Sequence, residues 1–149
     1  MNVGDQVPDF SLPDQTGTAR TMSEFLAKGP VVLFFYPAAM TTGCTKESCH
    51  FRDLKAEFDA VGAQRIGISM DSVAKQAEFS EKHSFDYPLL ADEDGTVAKL
   101  FGVKRKIDVL RTKRATFVIG QDQTIKAVIN SELSMTTHAD KALDVLKSL

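Results

Sequence analysis

Residues 31–36, VVLFFY, are six consecutive apolar residues rich in strand formers. Such a run has no polar face to turn to water, so it fits a central strand covered on both sides. Pro37 stops it, because proline brings no N–H to a ladder. From Gly43 the period changes. Cys49, Leu54 and Phe58 recur among charged residues, which predicts a helix to about Val61. A buried strand therefore hands over to a helix across the loop 37–42.

The rest of the chain builds on this unit. Residues 64–70, QRIGISM, read as the next strand, and Asp71 or Ser72 can cap a helix to about Lys82. YPLLAD (87–92) reads as a short strand and TVAKLFG (96–102) as a short helix closed by Gly102. ATFVIG and TIKAVIN are two strands around the turn QDQ, and His138–Leu149 is a closing amphipathic helix. Near the start, Pro8, Pro13, Asp14 and Gly17 mark turns. TARTM (18–22) pairs back as a hairpin strand, and Ser23–Lys28 forms a short helix before Gly29 and Pro30. Early β-α-β-α units imply parallel strands, and the late hairpin implies antiparallel ones. The expected fold is α/β: a three-layer α/β/α sandwich with a mixed central sheet and an N-terminal hairpin extension. With 149 residues, one domain over 1–149 is expected.

A net charge of −2 gives no basic footprint for nucleic acid or an anionic membrane surface, so neither is expected as a partner. The start MNVGDQVPDF lacks a basic and apolar leader, and VVLFFY is too short to span a bilayer. A cytoplasmic location is expected. In a reducing compartment, two cysteines are more often catalytic, redox-sensing or metal-binding than a structural staple.

Those two, Cys44 and Cys49, lie together in FFYPAAMTTGCTKESCH (34–50). Cys44 falls in the first turn of the expected helix, where free N–H groups and the positive dipole end favour a thiolate. An ordinary thiol with a pKa of about 8.5 is about 3% ionised at pH 7, whereas one lowered to about 6 is about 90% ionised. That gain is only about thirtyfold, and nucleophilicity falls with pKa, so further donors must polarise whatever is attacked. Thr41 can place a hydroxyl beside the sulfur, and Pro37 can wall the pocket from water. Glu47, one turn after Cys44, can orient a cation. Arg114 supplies that cation if its strand neighbours residues 31–36.

In an intact helix a five-residue separation puts two Cα atoms roughly 8.7 Å apart. A disulfide needs about 4.4–6.8 Å. Bonding of Cys44 to Cys49 would therefore unwind the helix start. Other readings stay open on the residues alone. The cysteines can be buried apolar side chains; a zinc site on Cys44, Cys49 and His50 lacks a fourth neighbouring ligand. A redox-sensing interaction protein or a non-catalytic binding module also fits. His50, His83 and His138 read as solvated helix residues, and 104–114, KRKIDVLRTKR, as a solvated basic loop.

As a set, Pro37, Thr41 and Cys44 form P-x-x-x-T-x-x-C, which resembles the active-site signature of the peroxiredoxins. The longer run FFYPAAMTTGCTKESCHFRDL resembles the peroxiredoxin Q branch, also called bacterioferritin comigratory protein. The likeness continues through GDQVPDFSLPDQTG, GISMDSVAKQAEF, YPLLADEDGTVAKLFGV and RATFVIG. It implies a thioredoxin-like fold and a thiol peroxidase that reduces hydrogen peroxide and organic hydroperoxides with no metal or other cofactor. By motif position, it implies Cys44 as peroxidatic cysteine, Cys49 as resolving cysteine, and Thr41 as the hydroxyl that helps hold the peroxide. Pro37 would be the shield, Arg114 the stabilising guanidinium and Glu47 its holder. It further implies thioredoxin, or a similar dithiol, as reductant, and a monomer. Thr42 departs from the branch pattern, where proline often precedes the Gly-Cys pair, and Gly120 departs where aspartate is common.

Overall fold

In the computed structural model, which describes residues 1–106, 111–132 and 134–149, the apolar run forms a strand buried along its whole length. Chain order is β1 (Ser11–Pro13), β2 (Ala19–Thr21), α1 (Met22–Leu26), β3 (Val31–Phe35), α2 (Thr42–Asp53), α3 (Lys55–Ala60) and β4 (Gln64–Ser69). Then follow α4 (Val73–His83), β5 (Leu89–Ala91), α5 (Thr96–Leu100), β6 (Ala115–Ile119), β7 (Ile125–Asn130) and α6 (Thr137–Lys147). β1 and β2 pair as the expected antiparallel hairpin. The other strands form one sheet in the order β5-β4-β3-β6-β7, parallel on the β4 side and antiparallel on the β6 side.

Because side chains alternate along a strand, β3 feeds two separate cores. Val31, Leu33 and Phe35 pack with Phe25 of α1, Val97 and Ala98 of α5, and Phe101 and Phe117. Val32, Phe34 and Tyr36 pack with Phe51 of α2, Phe58 of α3, Phe79 of α4 and the apolar face of α6. The result is the three-layer sandwich expected from the sequence. Gly67 stands opposite Phe34 in the ladder, and a Cβ there would meet Phe34 at 3.0 Å and Leu89 at 2.8 Å. The close aromatic packing needs that glycine. Among the described residues no helix is long and apolar enough to cross a membrane.

The single helix expected from Gly43 to Val61 is two. Its break at Leu54 has a tertiary cause in Arg65 of β4, whose buried guanidinium donates to the carbonyls of Phe51 at 2.9 Å and Arg52 at 3.4 Å. Those carbonyls sit where the helix would otherwise continue its own bonds. Arg65 is held in turn by both oxygens of Asp86, at 3.1 and 2.7 Å. The carboxyl half of α2 is thus pinned to β4, while Phe51 stacks on Phe34 with ring centroids 4.1 Å apart. Phe51→Ala should lower the unfolding free energy by about 3–5 kcal/mol in urea denaturation, because the cavity opens where the two aromatic layers meet.

Candidate active site

β3 delivers the chain to the site at Tyr36, whose N–H donates to the Ile68 carbonyl at 3.1 Å and whose carbonyl accepts from Thr112 Oγ1 at 3.2 Å. The half-buried Pro37 follows and breaks the ladder. Ala39 N–H then donates to buried Asp71 Oδ2 at 2.7 Å. Met40 takes a left-handed backbone, with φ of 69°, and turns the chain into α2. A side chain other than glycine in that region carries strain, so the surrounding contacts must hold it. They do so through Asp71, which also accepts from Ser69 Oγ at 2.7 Å and from Arg111 Nη1 at 2.8 Å. Sequence reasoning offered Asp71 only as one of two helix caps. Ser72 is the cap, accepting from Lys75 N–H, which frees Asp71 to tether the loop.

The first helical hydrogen bond of α2 runs from Thr45 N–H to the Thr41 carbonyl, leaving the preceding N–H groups at the open end of the helix. Cys44 is the third residue of that turn and is 1% exposed. Arg114 Nη2 lies 3.2 Å from its sulfur, and Arg114 Nη1 lies 2.7 Å from Glu47 Oε1. The approach across the sheet follows from register. Ala115 opens β6 opposite Phe35, so the residue before it stands at the same end of the sheet as the α2 start. A Cβ on Gly43 would come within 3.3 Å of Arg114 Nη2 and 3.2 Å of Met135 Sδ, so glycine leaves room for the guanidinium.

Three charged or ionisable groups thus converge in a nearly dry site. Burial opposes the Arg114 charge, but Glu47 and Cys44 outweigh it and hold the guanidinium above its ordinary value. Burial pushes the Glu47 carboxyl up to about 7 against the pull of Arg114. Cys49, also on α2, is half-buried against the second core, and burial pushes its thiol up. Both cysteines are free thiols.

The remaining expected residues are placed unevenly. Thr41 is exposed and its hydroxyl donates to the Ala38 carbonyl at 2.8 Å, not to the sulfur. Of the three histidines expected as solvated helix residues, His50 and His83 are half-exposed on helices and His138 is not solvated. His138 is fully buried, with Nδ1 2.7 Å from Thr116 Oγ1 and Nε2 2.8 Å from the Ser131 carbonyl. The α6 face that looked merely amphipathic packs this ring beneath the active site. His50 is half-buried and joins α2 to α6 through Asp140 Oδ1 at 2.8 Å. His83 is half-buried between Phe79 and Phe85. The basic segment is less free than expected, since Arg111 pairs with Asp71 and Arg105 with Glu132 at 2.8 Å; residues 107–110 of it lie outside the described residues.

Residues 3–128 match the AhpC/TSA family. The crystal structure of peroxidoxin BcpB from Mycobacterium tuberculosis is similar with a TM-score of 0.96 at 60% identity, covering 100% of this chain and 98% of that one. Chloroplastic peroxiredoxin Q of Oryza sativa subsp. japonica is 38% identical over 149 residues, 100% of this chain and 68% of its own. A structure of the Xanthomonas campestris bacterioferritin comigratory protein, described in terms of alkyl peroxide reduction, has a TM-score of 0.85 at 32% identity, covering 93% of this chain and 90% of that one. Likeness of this depth along the whole length, together with a buried thiol facing a guanidinium, means that the chain belongs to the AhpC/TSA family: it is a peroxiredoxin, a thiol peroxidase with a thioredoxin-like fold.

Proposed function

We propose that Cys44 is the peroxidatic cysteine, that Cys49 resolves it, and that a thioredoxin-like dithiol restores both thiols. The observation that carries this reading is the 3.2 Å contact between Arg114 Nη2 and Cys44 Sγ at a buried helix start. Guanidinium and helix terminus stabilise a thiolate, and both also face the oxygen on which charge develops during attack. The thiolate attacks one peroxide oxygen in line with the O–O bond. A sulfur–oxygen bond forms, the O–O bond breaks, and the leaving oxygen takes a proton and departs as water or alcohol. Cys44 is left as sulfenic acid. Hydrogen peroxide and organic hydroperoxides are the proposed substrates.

Supporting roles follow from the donors available. The hydrogen of the Thr41 hydroxyl is engaged by the Ala38 carbonyl, so its free lone pair suits acceptance of the peroxide O–H. Pro37 shields the pocket without adding an N–H that needs a partner. Glu47 fixes one arm of the Arg114 fork and leaves the other for sulfur and substrate.

Resolution requires movement. Cys44 and Cys49 both lie in α2, and the helical separation of roughly 8.7 Å exceeds the span of a disulfide. Unwinding of the first turns brings the sulfurs together and takes Cys49 out of the surroundings that keep its thiol protonated. Its thiolate then attacks the sulfenic sulfur, forming S–S and releasing water. The dithiol reductant attacks that disulfide and carries the pair of electrons in. The catalytic unit is proposed to be a monomer of one domain, located in the cytoplasm.

Cys44→Ser should abolish peroxide consumption, while Cys49→Ser should complete one fast turnover and then stall unless a small thiol is supplied. Stopped-flow peroxide kinetics with a thioredoxin system checks both, and near-wild-type recycling by either variant would sink the scheme. Amide exchange over residues 42–50 should speed up on oxidation while residues 51–53, pinned by Arg65 and Phe34, keep their protection. Equal protection in both redox states would rule out the unwinding step.

A further inference from the structure

The buried contacts extend past the Arg114–Glu47 pair. Glu47 Oε1 is held by Arg114, but Oε2 is fully enclosed and has no hydrogen bond among the described residues. His138 Nδ1 faces it at 3.7 Å. The Ser131 carbonyl, which can only accept, lies 2.8 Å from His138 Nε2, so that nitrogen carries its hydrogen. Protonation can therefore change only at Nδ1. Bare, it accepts from the Thr116 hydroxyl at 2.7 Å; protonated, it donates to Thr116 Oγ1 or toward Glu47 Oε2.

We infer that Glu47 and His138 hold one proton in common, on Oε2 or Nδ1, while Cys44 is a thiolate, and that His138 is thereby a positioning residue acting on the sulfur through Glu47 and Arg114. The inference rests on Cys44 being the attacking cysteine. Its basis is charge balance in a closed site. A thiolate, one guanidinium, one carboxylate and a neutral imidazole sum to one excess negative charge, and a single added proton cancels it. Without that proton Arg114 is divided between two anions; with it, the guanidinium is directed at the sulfur.

The surrounding charges leave the balance near neutrality. Glu132 accepts from the Arg114 N–H at 3.2 Å and from Arg105, and its charge favours a proton on either member of the pair. Arg114 opposes a proton on both members, and Lys141 of α6 opposes one on His138. On α2, His50 is occupied with Asp140. Burial raises Glu47 to about 7 and lowers His138 below its ordinary value, and with Oε2 and Nδ1 3.7 Å apart the two compete for one proton and titrate as a unit. Linkage is reciprocal: a negative sulfur retains the proton, and a neutral sulfur, as in the disulfide, releases it.

The test is nitrogen-15 NMR of histidine-labelled full-length protein, reduced, between pH 5 and 9. In the wild-type chain the Nδ1 resonance of His138 should move through one step near neutral pH. Cys44→Ser, which removes the sulfur charge, should lower that midpoint by about one pH unit, a tenfold change in proton affinity. Glu47→Gln should take the step below pH 5. His138→Asn should also move the pH profile of peroxide attack, measured at limiting peroxide, by about one unit. An Nδ1 resonance with no pH step in the wild-type chain, or one midpoint shared by all three proteins, overturns the inference, as does an unaltered pH profile in folded His138→Asn. The resonance is read without turnover, so peroxide consumption by Cys44→Ser would defeat the reading of Cys44 and leave the proton result to be judged separately.

Discussion

Burial of β3 on both faces is the constraint on which the site depends. A strand with no wet face must have helices on each side and strands on each edge, so its carboxyl end opens into a place that three other elements reach. α2 begins there, β6 brings Arg114 alongside, and β4 ends there with Ser69 and Asp71. The reactive thiol inherits its surroundings from this topology. Cys44 needs no unusual backbone of its own; the left-handed residue is Met40, one turn earlier. Arg114 reaches the sulfur because the antiparallel register of β6 sets Ala115 against Phe35. A register slip of one residue would invert every side chain of β6 and take the guanidinium away.

The loop before α2 is held by polar contacts, not by packing alone. Asp71 ties Ala39, Ser69 and Arg111 into one buried cluster, and a buried carboxylate with several donors is satisfied where an unpaired one would be costly. Arg111 is itself in a left-handed conformation, with φ of 51°. One carboxylate therefore holds Arg111 itself and Ala39, the residue before Met40. Strain of this kind persists where neighbouring contacts over-determine the backbone, and functional loops are where it collects.

What the sequence made legible follows from period and position. The apolar run, the switch to a helical period, and a cysteine just past that switch are local signals, and they located Cys44 at a helix start. The neighbouring of β3 by the strand after Arg114 stood only as a condition in the sequence, and the antiparallel pairing of β3 with β6 meets it. His138 was illegible for the opposite reason. One histidine on an otherwise amphipathic helix has the same local pattern whether its ring meets water or a buried glutamate 91 positions earlier in the chain. Asp71 was hidden by a plausible local role as a cap, and the break at Leu54 by the absence of any local breaker. Its cause, Arg65, belongs to another element.

α2 divides into two mechanical halves. Its first turn, Thr42-Gly43-Cys44-Thr45, consists of residues that each cost roughly 0.5–1 kcal/mol more than alanine in a helix. Its carboxyl half is stacked on Phe34 through Phe51, bonded to Arg65, and tied to Tyr87, whose hydroxyl donates to the Ser48 carbonyl at 2.6 Å. Glycine at 43 clears a path for Arg114 while the helix is wound, and it would lower the cost of the proposed unwinding. Cys49 lies near the junction, five residues along α2 from Cys44, a separation beyond disulfide range while the helix stays wound. Under the proposed scheme, reactivity and resolution fall on opposite sides of one boundary. In that scheme Cys44 sits beside Arg114 and Glu47 for attack, and the weak first turn keeps the cost of its later departure low.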